Sequence, residues 1–232
     1  MNSSPENPNL AQLVAAAAKL EPLLDQIAFV GGCVTGLLLT DPAAAPVRPT
    51  RDVDAIVAIA SYADFTLLEN RLRELGFHES HAEDAPICRW LSGDLILDLM
   101  PTDASIIGFG NRWYGPALEN AQRIKIGAQE IRLITAPYFL ATKLEAFRGR
   151  GKNDFRSHDL EDIVTVIDGR PEIVDEVHHA AGDLRKFLSD EFRALLSNRE
   201  FREVLPGHLL PDAASQRRLG LVVNRMQQLV EG

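Results

Sequence analysis

Two carboxylates one residue apart, Asp52 and Asp54, stand in "RPTRDVDAIVAI", residues 48–59, at the start of what otherwise reads as a buried strand. Side chains at i and i+2 of a strand share a face, so the two project side by side. Like charges held that close repel unless something positive lies between them. The hard divalent cations magnesium and manganese prefer oxygen ligands and would reverse the penalty. A pair of such ions held about 3.5–4 Å apart is a device of in-line phosphoryl chemistry. A third carboxylate usually completes a site of this kind. Asp98 offers one, since it interrupts the apolar run "LILDLMP", where a lone charge is costly unless paired or metal-bound.

Ahead of the pair lies "FVGGCVTG". A strand that ends in Gly31-Gly32 and opens into a helix lets backbone approach a ligand closely, and helix N-termini bind phosphate through free N–H groups. That makes a cradle for a triphosphate. Neither a glycine turn nor Asp-x-Asp is specific alone. The series of strand, Gly-Gly, helix, extended loop, Asp-x-Asp strand and a separate strand with a lone Asp is much more so.

The rest of the chain divides into an α+β front half and a helical back half. Residues 9–24 read as a helix with an Ala/Leu face, "IAFVGG" as a strand entering the glycine turn, and "CVTGLLLT" as the next helix. After the Pro/Ala-rich "DPAAAPVRPT" comes the strand "DVDAIVAI". Ser61 is placed to cap the helix "YADFTLLENRLREL", and Gly76 to end it. "APICRWL" and "LILDLMP" flank Ser92, Gly93 and Asp94 and read as an antiparallel hairpin; "QRIKIGAQEIRLI" reads as a second, turning near Gly127 and Ala128. Helical signals follow in "YFLATKLEAFR", in "HDLEDIVTVI" and in three or more helices from Pro171 on. The expected units are residues 1–135 and 136–232.

Composition sets the class. The chain has 232 residues, 46% hydrophobic and 25% charged, enough for a full core. Its net charge of −9 argues against a surface that grips nucleic acid non-specifically. Cys33 and Cys88 lack zinc-ligand spacing and read as small buried residues of a reducing compartment. The start "MNSSPENPNLAQLVAAAAKL" lacks the basic beginning and long apolar run of a signal peptide, and the run Leu13–Ala18 is too short to cross a membrane. The expectation is a cytoplasmic protein without a membrane partner.

Gly31-Gly32, then "TRDVDAIV", then Asp98 resemble the minimal nucleotidyltransferase fold of the DNA polymerase beta superfamily, over roughly residues 27–165. Within it the chain is most similar to the bacterial AbiEii/AbiGii-type group, toxin-like and abortive-infection proteins. Those show a Gly-Ser or Gly-Gly turn, an Arg-x-Thr-x-Asp-x-Asp pattern, and a helical second half carrying a Lys and then an Asp. Here the pattern falls on Arg48, Thr50, Asp52 and Asp54, the lysine on Lys143, and the later aspartate on Asp159 or Asp162. Gly32 stands where many members have Ser, so a hydroxyl contact to phosphate would be missing.

The resemblance implies a small mixed sheet flanked by helices, followed by a helical C-terminal domain. It implies Mg2+ or Mn2+ on Asp52, Asp54 and Asp98, with Asp98 also helping to deprotonate the attacking hydroxyl. Gly31 and Gly32 would hold the triphosphate of an NTP, with Arg48 and Thr50 among the nucleotide-binding positions. Lys143 would neutralise phosphate charge, and Asp159 would orient Lys143 or the nucleotide. The implied reaction moves a nucleoside monophosphate from NTP to an acceptor hydroxyl and releases pyrophosphate. The acceptor would be a tRNA 3′ end or other RNA, with the protein acting as a toxin beside a cognate antitoxin; or a small molecule or protein side chain. A degenerate module that binds nucleotide without catalysis is the third alternative.

The same residues have plainer readings. Asp52 pairs with Arg48 or Arg51 at a turn; Asp98 faces water on an edge strand; Lys143 lies at the border of an apolar stripe with its head in solvent; Asp159 and Asp162 are first-turn acids favoured by the helix dipole. The basic cluster Lys143, Arg148, Arg150, Lys152 and Arg156 is either a grip for phosphates or a solvated loop. His78, His81, His158, His178, His179 and His208 show no metal-ligand spacing and read as surface or capping residues.

Overall fold

The computed structural model describes residues 8–149 and 154–231, so Arg150 and Lys152 of the basic cluster lie outside the described residues. Two compact units emerge. Of the described residues, one unit holds the sheet, with residues 8–34 and Arg48–Thr135; the other is helical, with Thr35–Val47 and the described chain from Ala136 on.

In the sheet unit the described strands are β1 (Ile27–Val30), β2 (Asp52–Val57), β3 (His78–Glu79), β4 (Arg89–Ser92), β5 (Leu95–Pro101), β6 (Gln122–Ile126) and β7 (Gln129–Leu133). They form one mixed sheet in the order β3-β4-β5-β2-β1-β7-β6. Strand β2 runs parallel to β5, and β1 parallel to β7; the other neighbours are antiparallel. The apolar strand β1 is buried along its whole length, as expected of a strand covered on both faces. Both hairpins turn where glycine permits a left-handed backbone, at Gly93 (φ 58°) and Gly127 (φ 55°).

Helix α1 (Pro8–Lys19) lays Leu13, Ala16 and Ala17, all fully buried, against this sheet. It ends five residues before the expected Leu24, because Pro22 has no N–H to continue the ladder; a single 3-10 turn, Glu21–Leu23, follows. The expected helix "CVTGLLLT" is likewise broken, into a 3-10 turn at Gly32–Val34 and the one-turn α2 (Thr35–Leu38). Helix α3 (Tyr62–Glu74) starts as expected, with Ser61 Oγ accepting from the Asp64 N–H at 3.2 Å, and closes before Gly76 at φ 77°. The two-residue β3 and the short α4 (Tyr114–Glu119) have no counterpart in the sequence reading.

The helical unit contains α5 (Ala136–Gly149), α6 (His158–Gly169), α7 (Ile173–His178), α8 (Gly182–Ser197), α9 (Arg199–Val204), α10 (Ala213–Arg217) and α11 (Leu219–Glu231). Helices α5 and α11 each pack against both α6 and α8, and Phe139, Leu144, Leu160, Ile163, Phe192 and Met226 of these helices are fully buried. Residues 35–47, which the sequence reading put in the front half, are fastened here. The N–H groups of Thr40 and Asp41 donate to the Gly169 carbonyl at 3.0 and 2.9 Å, and Arg218 bridges Asp41 and Asp168 at 2.6 Å each. Among the described residues no helix is long and apolar enough to cross a membrane.

Candidate functional site

Strand register assembles the three carboxylates. Asp54 on β2 stands opposite Val30 on β1 and beside Asp98 on β5, and Asp98 in turn faces Arg89 on β4. Cross-strand neighbours share a face, so Asp52, Asp54, Asp98 and Arg89 all project from the same side of the sheet. The residue after Val30 is Gly31, with φ 71°, and a Cβ added to it would stand 1.9 Å from Asp54 Oδ2. Gly31 therefore combines two things that no other residue can: it takes the left-handed turn without strain and leaves room for the Asp54 carboxylate where a Cβ would stand. Gly32 is buried at the start of the following 3-10 turn.

Arg89 is the residue the sequence reading missed. Its Nε and Nη2 donate to the two oxygens of Asp98 at 2.8 and 2.7 Å, and Nη2 also donates to Asp52 Oδ2 at 2.8 Å. Asp52 thus pairs across the sheet, and not with Arg48 or Arg51 as its plainer reading held. Nor is Asp98 an edge charge: β5 lies between β4 and β2, and Asp98 is 6% exposed. A buried carboxylate needs a counter-charge, and the bidentate guanidinium provides it. The hydrogen bond to Asp98 is also the largest reason why the Arg89 pKa lies above the ordinary arginine value. Beside it, burial and then the negative charges of Asp98 and Asp54 push the Cys88 thiol up to about 12.

Arg48 and Thr50 shape the approach to β2. Thr50 Oγ1 donates to the Asp52 carbonyl at 2.8 Å. The fully buried Asn9 of α1 ties this segment down, accepting from the Thr50 N–H and donating to the Arg48 carbonyl, both at 2.9 Å. No sequence signal marks Asn9, because its partners are backbone groups about forty positions away.

In the helical unit, Lys143 of α5 is 7% exposed, and its ammonium lies 2.6 Å from Asp162 and 3.1 Å from Asp159. The i, i+3 spacing puts both aspartates on one face of α6. They are more than first-turn acids, and the Lys143 head is not in solvent as its plainer reading held. Of the basic cluster, Arg148 pairs with the buried Glu191 of α8 at 2.6 Å, while Arg156 is exposed and lines a cavity of about 440 Å³ with Glu161, Glu203 and His208. His208, read as a surface or capping residue, is half-buried, with Nε2 2.7 Å from the Phe155 carbonyl.

No family model matches the sequence, and no curated protein matches it. Solved structures do. The chain is similar to an antigenic nucleotidyltransferase-like protein from Paracoccidioides brasiliensis, with a TM-score of 0.51 and 19% identity over 88% of this chain and 93% of that one. The fold is nucleotidyltransferase-like. It is also similar to JHP933 from Helicobacter pylori, with a TM-score of 0.52 and 15% identity over 98% of this chain and 94% of that one. At these identities the likeness is one of fold.

Within this nucleotidyltransferase-like fold, three carboxylates on one sheet face form an all-oxygen donor set, which suits a hard divalent cation. The side chains as they stand serve an arginine: among the described residues no three His, Cys, Asp or Glu side chains converge closely enough to hold a metal ion. The donor types suit a metal, and in this arrangement the oxygens of Asp98 and Asp52 are held by the Arg89 guanidinium.

Proposed function

We propose that this protein is a metal-dependent nucleotidyltransferase, which transfers a nucleoside monophosphate from NTP to an acceptor hydroxyl and releases pyrophosphate. The observation that carries the reading is the row Asp54–Asp98 on parallel strands, with Asp52 on the same face and Gly31 opened against Asp54. Asp52, Asp54 and Asp98 would hold Mg2+ or Mn2+. Such an ion neutralises developing phosphate charge and makes a hydroxyl easier to deprotonate. The resemblance gives Gly31 and Gly32 the triphosphate, with Asp54 occupying the space that a Gly31 side chain would fill.

For the acceptor we propose the 3′ end of an RNA, tRNA first, on the strength of the AbiEii/AbiGii-type resemblance. The same resemblance is the ground for a toxin role with a cognate antitoxin. Arg156 offers an exposed cation for phosphate contact.

One observation favours a second reading. Asp52 and Asp98 are already paired with Arg89, as a nucleotide-binding module without catalysis would have them. Incubating the protein with Mg2+, each labelled NTP and total tRNA, beside the Asp52→Ala/Asp54→Ala variant, separates the two. Label on RNA only with intact aspartates is the expected result. Transfer to an added protein or aminoglycoside instead would move the acceptor and keep the reaction. Nucleotide bound but never transferred, with or without metal, would support the second reading and overturn the first.

A further inference from the structure

Arg89 and a divalent cation would compete for the same carboxylate oxygens. The guanidinium takes both oxygens of Asp98 and one of Asp52, at 2.7–2.8 Å. A divalent ion held by one of those oxygens would lie within a few ångströms of the guanidinium, where the two cations repel. Asp98, with its side chain 9% exposed, cannot go without a counter-charge, whereas Arg89, at 25%, reaches solvent. The arrangement is therefore bistable: arginine in, or metal in.

We infer that Arg89 is the resident counter-cation of Asp52 and Asp98, and that a divalent ion binds them only by displacing it. This rests on the metal-dependent reading above and adds an order to it. Without nucleotide, Arg89 holds Asp52 and Asp98 and keeps metal affinity low. A triphosphate brings negative charge that offers the released guanidinium a new bidentate acceptor, so metal and NTP enter together. Arg89 is a positioning residue in this scheme: it governs when the carboxylates are free.

The test is Mn2+ binding to the nucleotide-free protein, followed by the electron paramagnetic resonance of the unbound ion, with thermal unfolding in parallel. Arg89→Gln removes the charge and keeps some hydrogen bonding. It is expected to bind Mn2+ about tenfold or more tightly than the wild type. Mn2+ should also raise its unfolding temperature more than that of the wild type, and Asp54→Asn added to it should abolish the gain. A merely structural arginine would give a destabilised variant that Mn2+ neither binds better nor rescues. Arg89→Lys, which keeps a point charge but loses the fork, covers the case in which the glutamine variant does not fold, and a smaller gain is expected of it. Equal Mn2+ affinity in wild type and variants overturns the role of Arg89 and leaves the metal reading intact. No Mn2+ binding by any of them, even with NTP added, overturns both.

Discussion

Gly31 and the Asp54 carboxylate are in direct contact, so close that a methyl group on Gly31 would fall 1.9 Å from Asp54 Oδ2. The backbone there is also left-handed, at φ 71°. Gly31→Ala therefore carries the left-handed penalty of about 1–2 kcal/mol and displaces Asp54 as well. Gly93, at φ 58° with nothing within 4 Å of an added Cβ, is the matched control. Urea unfolding should show Gly31→Ala clearly less stable than Gly93→Ala. Equal losses would mean that Asp54 yields freely and the contact has no consequence.

Lys143 is a structural pivot of the helical unit whatever else it does. Replacing it by Met leaves Asp159 and Asp162, 6% and 2% exposed, without their shared cation, and is expected to cost about 3–5 kcal/mol. Adding Asp162→Leu should recover part of that loss, since the variant then buries one charge fewer. Chemical denaturation of both variants checks the pair; a double variant less stable than Lys143→Met would contradict it.

Burial holds the His208 imidazole below its ordinary value of 6.5, against the opposing pull of the Phe155 carbonyl, Glu161 and Asp154. Below pH 6.5 the unfolded chain takes up a proton that the folded one refuses, so this contribution to stability is complete above 6.5 and is lost as pH falls through the folded value. His208→Gln should show a smaller drop in urea midpoint between pH 7.5 and 5.5 than the wild type. An identical drop would place the acid sensitivity elsewhere.

The Cys88 thiol, pushed up to about 12 from an ordinary 9.0, is neutral at physiological pH, and Cys33 and Cys88 are both buried. Neither cysteine should react with a thiol reagent at pH 8 in the native protein, and both should in urea. Between about pH 9 and 12 the unfolded chain releases a proton that folded Cys88 keeps, so stability should fall as pH rises over that window, and fall less in Cys88→Ala. Rapid native labelling would contradict the buried placement.

Much of the sheet unit can be read directly from the sequence. The apolar run Ile27–Val30, the strand from Asp52 and both glycine-turned hairpins announce themselves through composition and punctuation. Arg89 was within reach too. With Gly93 and Asp94 as a two-residue turn, Ser92 faces Leu95, and counting back along both strands brings Arg89 opposite Asp98. Sequence adjacency offers Asp52 only Arg48 or Arg51; strand register is what brings Arg89 to it from across the sheet. Pro22 likewise announced the early end of α1. Other features carry no local signal. Asn9 acts on backbone forty residues away, β3 is too short to show a period, and residues 35–47 are fastened by Asp168, Gly169 and Arg218, which sequence distance hides. Lys143 sat where helical periodicity puts a border residue. Its burial became apparent only once α6 brought Asp159 and Asp162 against it.

Nucleotide affinity with and without a divalent ion tests the central claim most directly. Titrating the wild type and Asp54→Asn with each NTP, once in Mg2+ and once in EDTA, should show one NTP bound about tenfold or more tightly with Mg2+ by the wild type, and no such gain in the variant. Binding equal in Mg2+ and EDTA, or a gain that survives Asp54→Asn, would contradict the assignment of Asp52, Asp54 and Asp98 as metal ligands.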